Sequence, residues 1–197
     1  MKTPTVGILG FQGDVIEHLE ATKKAAANLK LRLNTPVVRT REELRGIDAL
    51  IIPGGESTTL QALSEREGMF NGMKKVPNIF GTCAGAILLA NNVSHKTQGQ
   101  KTLGLMNITV DRNAYGRQIE SFEETITTNF GTMHAVFIRA PQILRIGRGV
   151  TVLAKRGAEV LACEEGQRGT FYMAACFHPE LTMTLFHEYF LKRAFHI

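Results

Sequence analysis

The sequence predicts an α/β fold: a doubly wound, mostly parallel sheet flanked by helices, with added antiparallel strands. Three observations carry this. Short β-branched runs recur that are apolar at nearly every position, which suits strands covered on both faces. Segments with a helical apolar stripe fall between them, so strands and helices alternate through the first half. After Leu103 the pattern turns β-like without intervening helices, which predicts antiparallel strands at the edge of the sheet.

In chain order, the first predicted strand is Thr5–Leu9, and a helix follows over Asp14–Leu29, with Val15, Ile16, Leu19, Ala26 and Leu29 as its stripe. Ala49–Ile52 is a second strand, followed by a helix over Thr58–Phe70. Asn78–Phe80 is a third, running into a helix over Ala84–Asn91. Leu103–Ile126 and a hairpin over Val150–Cys163 are β-like. Ala135–Ile138 and Tyr172–Cys176 are further buried strands, and Leu181–Phe195 is a closing helix. No repeat or long linker interrupts the chain, so a single domain over residues 1–197 is expected.

Composition narrows the function classes. Hydrophobic residues are 44% and charged residues 21% of the 197, enough to build a globular core. No apolar run approaches the roughly 20 residues a membrane span needs, and Met1–Pro4 leads straight into Val6-Gly7-Ile8-Leu9 without a signal peptide. A cytoplasmic protein is expected. The net charge of +5 comes from scattered Lys and Arg, with only short pairs such as Lys23-Lys24 and Lys74-Lys75. Nucleic-acid binding needs clustered basic residues or interleaved aromatics, so no nucleic-acid partner is expected. Three cysteines without a CxxC pair, Cys83, Cys163 and Cys176, argue against a disulfide framework and a zinc site.

Chemistry concentrates at three strand ends. Phe80-Gly81-Thr82-Cys83-Ala84-Gly85-Ala86 places a Gly-x-Cys-x-Gly turn between an apolar strand and a helix-forming run. That is the cysteine version of a nucleophile elbow. The glycines remove side chains that would clash with the neighbouring strand and helix, and the helix N-terminus favours thiolate. A buried cysteine in a glycine-rich turn is the plain alternative. In Cys176-Phe177-His178-Pro179-Glu180, His178 can serve as general base. Glu180, two residues on along an extended segment, would point to the same side and orient the imidazole. Ile52-Pro53-Gly54-Gly55-Glu56-Ser57-Thr58-Thr59 offers backbone N–H groups for an oxyanion. It also reads as a strand-to-helix turn with Ser57 or Thr58 capping the helix. The Gly-Lys-Ser/Thr ending of a phosphate-binding loop is absent, so ATP binding is not expected. Cys163 and Cys176 read as buried filler. His18, near an expected docking face, and His134 receive no catalytic role, and His95, His187 and His196 read as surface or packing residues.

Gly-Gly-Glu-Ser, Gly-Thr-Cys-Ala-Gly and His-Pro-Glu in this order resemble the class I (triad-type) glutamine amidotransferases. Gly7–Gly13, Glu17-His18, Pro53–Thr59, Arg112–Gln118, Phe137–Pro141 and Phe177–Thr182 are similar to one branch, the glutaminase subunits of pyridoxal 5′-phosphate synthase. The resemblance covers nearly the whole chain. It implies a flavodoxin-like domain that hydrolyses L-glutamine through Cys83, His178 and Glu180. The ammonia would go to a synthase subunit that joins it to ribose and triose phosphates in a hetero-oligomer. It further implies a glutamine site lined by Gly54, Gly55, Glu56, Ser57, Arg112, Ile138 and Arg139, with the N–H groups of Gly55 and Ala84 as oxyanion donors. Gln12 would lie in a loop that adjusts the oxyanion site when the synthase docks. No metal or organic cofactor is implied. Arg112 or Arg139 suits the α-carboxylate of glutamine; from the residues alone, a surface ion pair is the alternative for each. The segments Lys96–Thr102 and Glu123–Met133 depart from the family pattern and are expected not to touch the catalytic motifs. The competing readings are another enzyme on the same elbow, such as a cysteine peptidase or DJ-1-like protein, and a non-catalytic scaffold.

Overall fold

The computed structural model describes residues 3–114, 121–167 and 169–197. The first half builds a parallel sheet from β1 (Val6–Leu9), β2 (Val37–Val38), β3 (Ala49–Ile52) and β4 (Asn78–Thr82). β12 (Thr170–Ala175) joins it from the far end of the chain, in the order β2-β1-β3-β4-β12. All four pairings are parallel. From β12 the sheet continues antiparallel through β11 (Glu159–Gln167), β10 (Val150–Arg156), β7 (Ser121–Thr128) and β8 (Gly131–Ile138). A branch leaves β11 through β9 (Gln142–Ile146) to β6 (Met106–Asp111) and β5 (Ala90–Ser94). The sheet is therefore mostly parallel in its first half, with antiparallel strands added, as the sequence predicts.

The central strands separate two cores because successive side chains face opposite sides. Leu50, Ile52 and Ile79 pack with Leu60, Met73 and Ile87 on the side of α2 (Ser57–Arg66), α3 (Phe70–Met73) and α4 (Ala84–Leu89). Ala49, Ile51 and Phe80 pack on the other side with Ala25, Phe186 and Phe190 of α1 (Val15–Asn28) and α5 (Leu185–Phe195). Full burial of each large apolar side chain contributes about 1.5–3 kcal/mol, so these two layers fix the strand positions.

Several expectations shift in detail. The helix predicted over Thr58–Phe70 breaks at Gly68, whose φ of +66° ends α2 and lets the short α3 begin. Ala84–Asn91 is helical only to Leu89, because Ala90 already pairs with Met106 in β5. Ala135–Ile138 is not a strand covered on both faces. It belongs to β8, an antiparallel strand that buries Met133, Ala135 and Phe137 and leaves Ile138 40% exposed. The closing helix starts at Leu185, after a 3-10 turn over Pro179–Leu181. No helix among the described residues is long and apolar enough to cross a membrane.

Glycines hold the elbow closed. A Cβ on Gly81 would lie 2.5 Å from the Gly85 backbone, and one on Gly85 would lie 2.2 Å from the Ile52 carbonyl oxygen. Because both obstacles are backbone, relief requires moving β3 or α4. Gly85→Ala is expected to lower the unfolding free energy by about 1–3 kcal/mol, the usual cost of overpacking, measured by urea denaturation.

Candidate active site

Sheet register brings the three motifs together. β3 pairs with β4 through Ile52↔Gly81, and β12 pairs with β4 through Ala175↔Thr82. The Cys83 N–H donates to the Ala175 carbonyl at 2.8 Å. The loops leaving β3, β4 and β12 therefore meet at one sheet edge, where residues 55–57, 83 and 178, but not Gly54, line a cleft of about 690 Å³.

Cys83 occupies the turn between β4 and α4 with φ +49° and ψ −106°. A non-glycine residue in such a conformation carries strain of about 1–3 kcal/mol, held by the packing around it. Its Sγ lies 3.8 Å from the Ile138 carbonyl oxygen, a long S–H···O contact. Gly54 passes between Cys83 and the His178 imidazole: a Cβ there would lie 2.5 Å from His178 Cε1 and 3.3 Å from Cys83 Cβ.

His178 is placed by its N–H, which donates to the Val136 carbonyl at 2.8 Å. Its Nδ1 lies 2.7 Å from Glu180 Oε1 and 2.9 Å from Asp14 Oδ2. The Glu180 contact was expected, but not its geometry. Residues 179–181 form a 3-10 turn rather than an extended segment, and the turn folds the carboxylate back onto the ring. His178 Nε2 is buried without a hydrogen-bond partner among the described residues. The Cys83 thiol lies close enough to bias its charge but makes no hydrogen bond of full geometry to it. Burial alone would push the His178 pKa down. Asp14, Cys83 and Glu180 together outweigh it and push the pKa up to about 12, so the ring is an imidazolium in this arrangement. Glu180 is itself raised, chiefly by burial, with the hydrogen bond from His178 opposing.

Asp14 was missed by sequence reasoning. It precedes α1 as the N-cap residue, yet its side chain makes no cap hydrogen bond and turns to His178 instead. The only signal was Gly13-Asp14 ahead of a helical stripe, and that reads as an ordinary cap. Asp14, His178 and Glu180 bring one potential metal-ligand atom each within 4.8 Å of one another. The two carboxylates already share the imidazole proton at 2.7–2.9 Å, the separation expected of hydrogen bonds.

The residues expected around glutamine split by environment. Gly55, Glu56, Ser57, Arg112, Ile138 and Arg139 line the cleft with Cys83 and His178. Glu56, not Ser57 or Thr58, caps α2, accepting from the N–H groups of Thr58 at 3.2 Å and Thr59 at 2.7 Å. Burial opposes its ionisation, but the Thr58 and Thr59 donors outweigh burial and hold its pKa at about 2. The Glu56 carboxylate also pairs with the Arg112 guanidinium. Arg112 is further held by Thr97 Oγ1 and by Gln100 Oε1, the latter at 3.4 Å. Gln100 in turn donates to Ser57 Oγ at 2.9 Å. The segment Lys96–Thr102 therefore does touch the motifs, contrary to expectation, because chain folding lays it beside α2. Of the Arg112–Gln118 motif, residues 115–118 lie outside the described residues. Arg139 has a φ of +45° at the cleft wall.

Gln12 reaches the same loop, its Nε2 donating to the Glu56 carbonyl at 2.7 Å, while its side chain lies against Gly55, whose φ is +117°. Neither the Gly55 nor the Ala84 N–H donates to an acceptor among the described residues. His18 is fully buried. Cys163 and Cys176 are buried as expected; burial pushes the Cys163 pKa to about 12 and that of Cys176 well above its ordinary value.

Comparison with known proteins assigns this architecture. A family-wide sequence model, that of the SNO glutamine amidotransferase family, matches residues 8–196. The chain is 43% identical to the pyridoxal 5′-phosphate synthase subunit PdxT of Thermococcus onnurineus, covering 96% of this chain and 98% of that one. It is 45% identical to the subunit of the same name from Pseudothermotoga lettingae, covering 96% and 95%. A solved glutamine amidotransferase structure superposes with a TM-score of 0.82 at 42% identity, covering 96% and 98%. The matches span essentially the full described fold, and the chain belongs to the SNO glutamine amidotransferase family.

Proposed function

We propose that the chain is the glutaminase subunit of a pyridoxal 5′-phosphate synthase. It hydrolyses L-glutamine to L-glutamate and passes the ammonia to a synthase subunit, within the cytoplasm. The observation that carries the reading is His178, with Nδ1 fixed by carboxylates and Nε2 left unpartnered beside the strained Cys83. That is the arrangement acyl transfer requires. Residues 1–197 act as one amidotransferase domain, in keeping with a family match over 8–196.

In the proposed reaction the Cys83 thiolate attacks the side-chain carbonyl carbon of glutamine. The N–H groups of Gly55 and Ala84 receive the oxyanion, which is why their lack of internal acceptors matters. The His178 imidazolium gives its proton to the departing nitrogen, and ammonia leaves. The now neutral ring takes a proton from water, whose hydroxide attacks the γ-glutamyl thioester. Collapse releases glutamate and restores thiolate and imidazolium. Glu180 orients the ring throughout. Gly54, Gly55, Glu56, Ser57, Arg112, Ile138 and Arg139 form the glutamine site. Arg112 is already tied to Glu56, so its part is to wall the cleft and hold Glu56 in place. Gln12 links the first loop to the oxyanion loop through the Glu56 carbonyl. A synthase docking on that loop would therefore act on Gly55, and low activity of the isolated subunit is expected.

Two tests follow. Glutamate release from L-glutamine is expected to rise when the synthase subunit is added. Cys83→Ala is expected to lower it at least about 10³-fold, the scale for loss of a nucleophile; Cys83-independent release would overturn the reading. The second test uses proton linkage. The His178 pKa is raised in the fold from 6.5 to about 12. Its stabilisation is therefore fully present below the unfolded value and is lost as pH rises through the folded one. Urea unfolding at several pH values should show the largest deficit for Asp14→Asn near about pH 6, with the gap to wild type closing at alkaline pH.

A further inference from the structure

Behind the proposed Cys83–His178–Glu180 set lies a second, fully buried pair of imidazoles. His18 of α1 and His187 of α5 are both 0% exposed. His18 Nε2 lies 2.9 Å from Thr82 Oγ1 and 3.3 Å from Glu180 Oε2, and its Nδ1 lies 3.0 Å from His187 Nε2. Thr82 directly precedes the nucleophile, and Glu180 is the carboxylate that orients His178. One ring thus spans the two segments whose alignment the reaction needs.

The tautomers can be deduced. If His18 carried its proton on Nδ1, it would donate to His187 Nε2. His187 would then hold its own proton on Nδ1, which is buried and has no partner. His18 Nε2 would present a lone pair to the Glu180 carboxylate. Both features are costly in a dry interior. With protons on Nε2 of both rings, His187 donates to His18 Nδ1 and His18 donates to Thr82 Oγ1, with the same Nε2 3.3 Å from Glu180 Oε2 in a contact short of full hydrogen-bond geometry. The orphans are then the His187 Nδ1 lone pair and Glu180 Oε2, acceptors only, and neither ring leaves an N–H without a partner. Burial lowers His187 to about 3 and His18 well below its ordinary value, so both rings stay neutral.

We propose that His18 is a positioning residue for the glutaminase reaction: oriented by His187, it donates from Nε2 to Thr82 at the strand end bearing Cys83 and holds the same N–H against Glu180 Oε2, 3.3 Å away, where its dipole favours the ionised carboxylate. This rests on the triad reading above. Glu180 is faced by His178 from its own segment, by Asp14 and His18 from the α1 side, and by His187 behind His18 from α5. Cys83 lies beyond His178. Among these, His18 is the neutral ring whose Nε2 lies 3.3 Å from Oε2, the oxygen that His178 does not use and that makes no full hydrogen bond. Its loss would make Glu180 harder to ionise, and Glu180 must be ionised to hold His178.

The experiment is the pH dependence of glutamate release by the complex with its synthase subunit, for wild type, Cys83→Ala, His18→Leu, His18→Gln and Thr82→Val. Melting temperatures are read in parallel. His18→Leu is expected to lower kcat about tenfold or more and move the acid limb up by about one pH unit. His18→Gln, which keeps a donor, should recover most of the rate and the limb position. Thr82→Val leaves the His18 donor to Glu180 alone, so its acid limb should stay or move down. Equal losses in His18→Leu and His18→Gln with no shift of the limb would mean packing only and overturn the proposal. Release independent of Cys83 would overturn the triad reading and the proposal with it. A test without variants is imidazole ¹⁵N NMR of the intact wild-type chain. Neutral Nε2–H tautomers at His18 and His187 across the active pH range are expected; an Nδ1–H tautomer or an imidazolium at His18 contradicts the proposal.

Discussion

The whole arrangement depends on the parallel pairing of β4 with β3 on one side and β12 on the other. Residues 52, 81 and 175 are far apart in the chain, but the ladder hydrogen bonds leave no freedom in their alignment. A slip of one residue would turn every side chain to the other face of the sheet. It would also carry Cys83 away from the loop that ends in His178. Registry is enforced from both faces: Phe80 locks into the α1/α5 layer and Ile79 into the α2/α4 layer. The geometry of the candidate site is thus a by-product of core packing that no residue of the site supplies alone.

That rigid frame holds local features which would not persist in isolation. The backbone at Cys83 is strained, and the turn tolerates it because Gly81 and Gly85 let α4 approach β3 and β4 at backbone distance. Gly54 likewise lets its loop pass beside the imidazole. The electrostatics follow the same logic. Two carboxylates converge on one imidazole nitrogen, which burial alone would keep neutral. On the opposite wall, Glu56 is held ionised by its cap hydrogen bonds and pairs with Arg112. Each charge in the cleft has a partner, as a partly dry site requires.

The first loop of the chain has more than one task. Gly13 packs against the Gly54 carbonyl, Gln12 donates to the Glu56 carbonyl, and Asp14 reaches His178. Four residues further, His18 reaches Thr82 and Glu180 from beneath. The N-terminal end of α1 therefore touches the Gly54–Ser57 loop, the His178 imidazole and the Glu180 carboxylate in succession. A partner that moved this segment would act on all three through direct contacts.

Local sequence marked the class of fold, the family and the candidate chemistry-bearing residues. Strand-turn-helix punctuation around Gly81–Gly85 marked Cys83, the doubly apolar runs marked the central strands, and the ordered motifs carried the family resemblance. These are local signals, written in neighbouring residues and periodicity. Tertiary structure alone decided the rest. It ended α2 at Gly68, turned Ala90 into strand, and made the His178–Glu180 contact through a 3-10 turn. It drew Thr97 and Gln100 onto Arg112 and diverted Asp14 from its cap to the imidazole. It also buried His18 between Thr82, Glu180 and His187. The reason is physical: a polar side chain finds its partner across long sequence separations only after strand register and helix packing have fixed both positions. Nothing in the residues flanking position 14 or 18 encodes where positions 178, 180 or 187 will be.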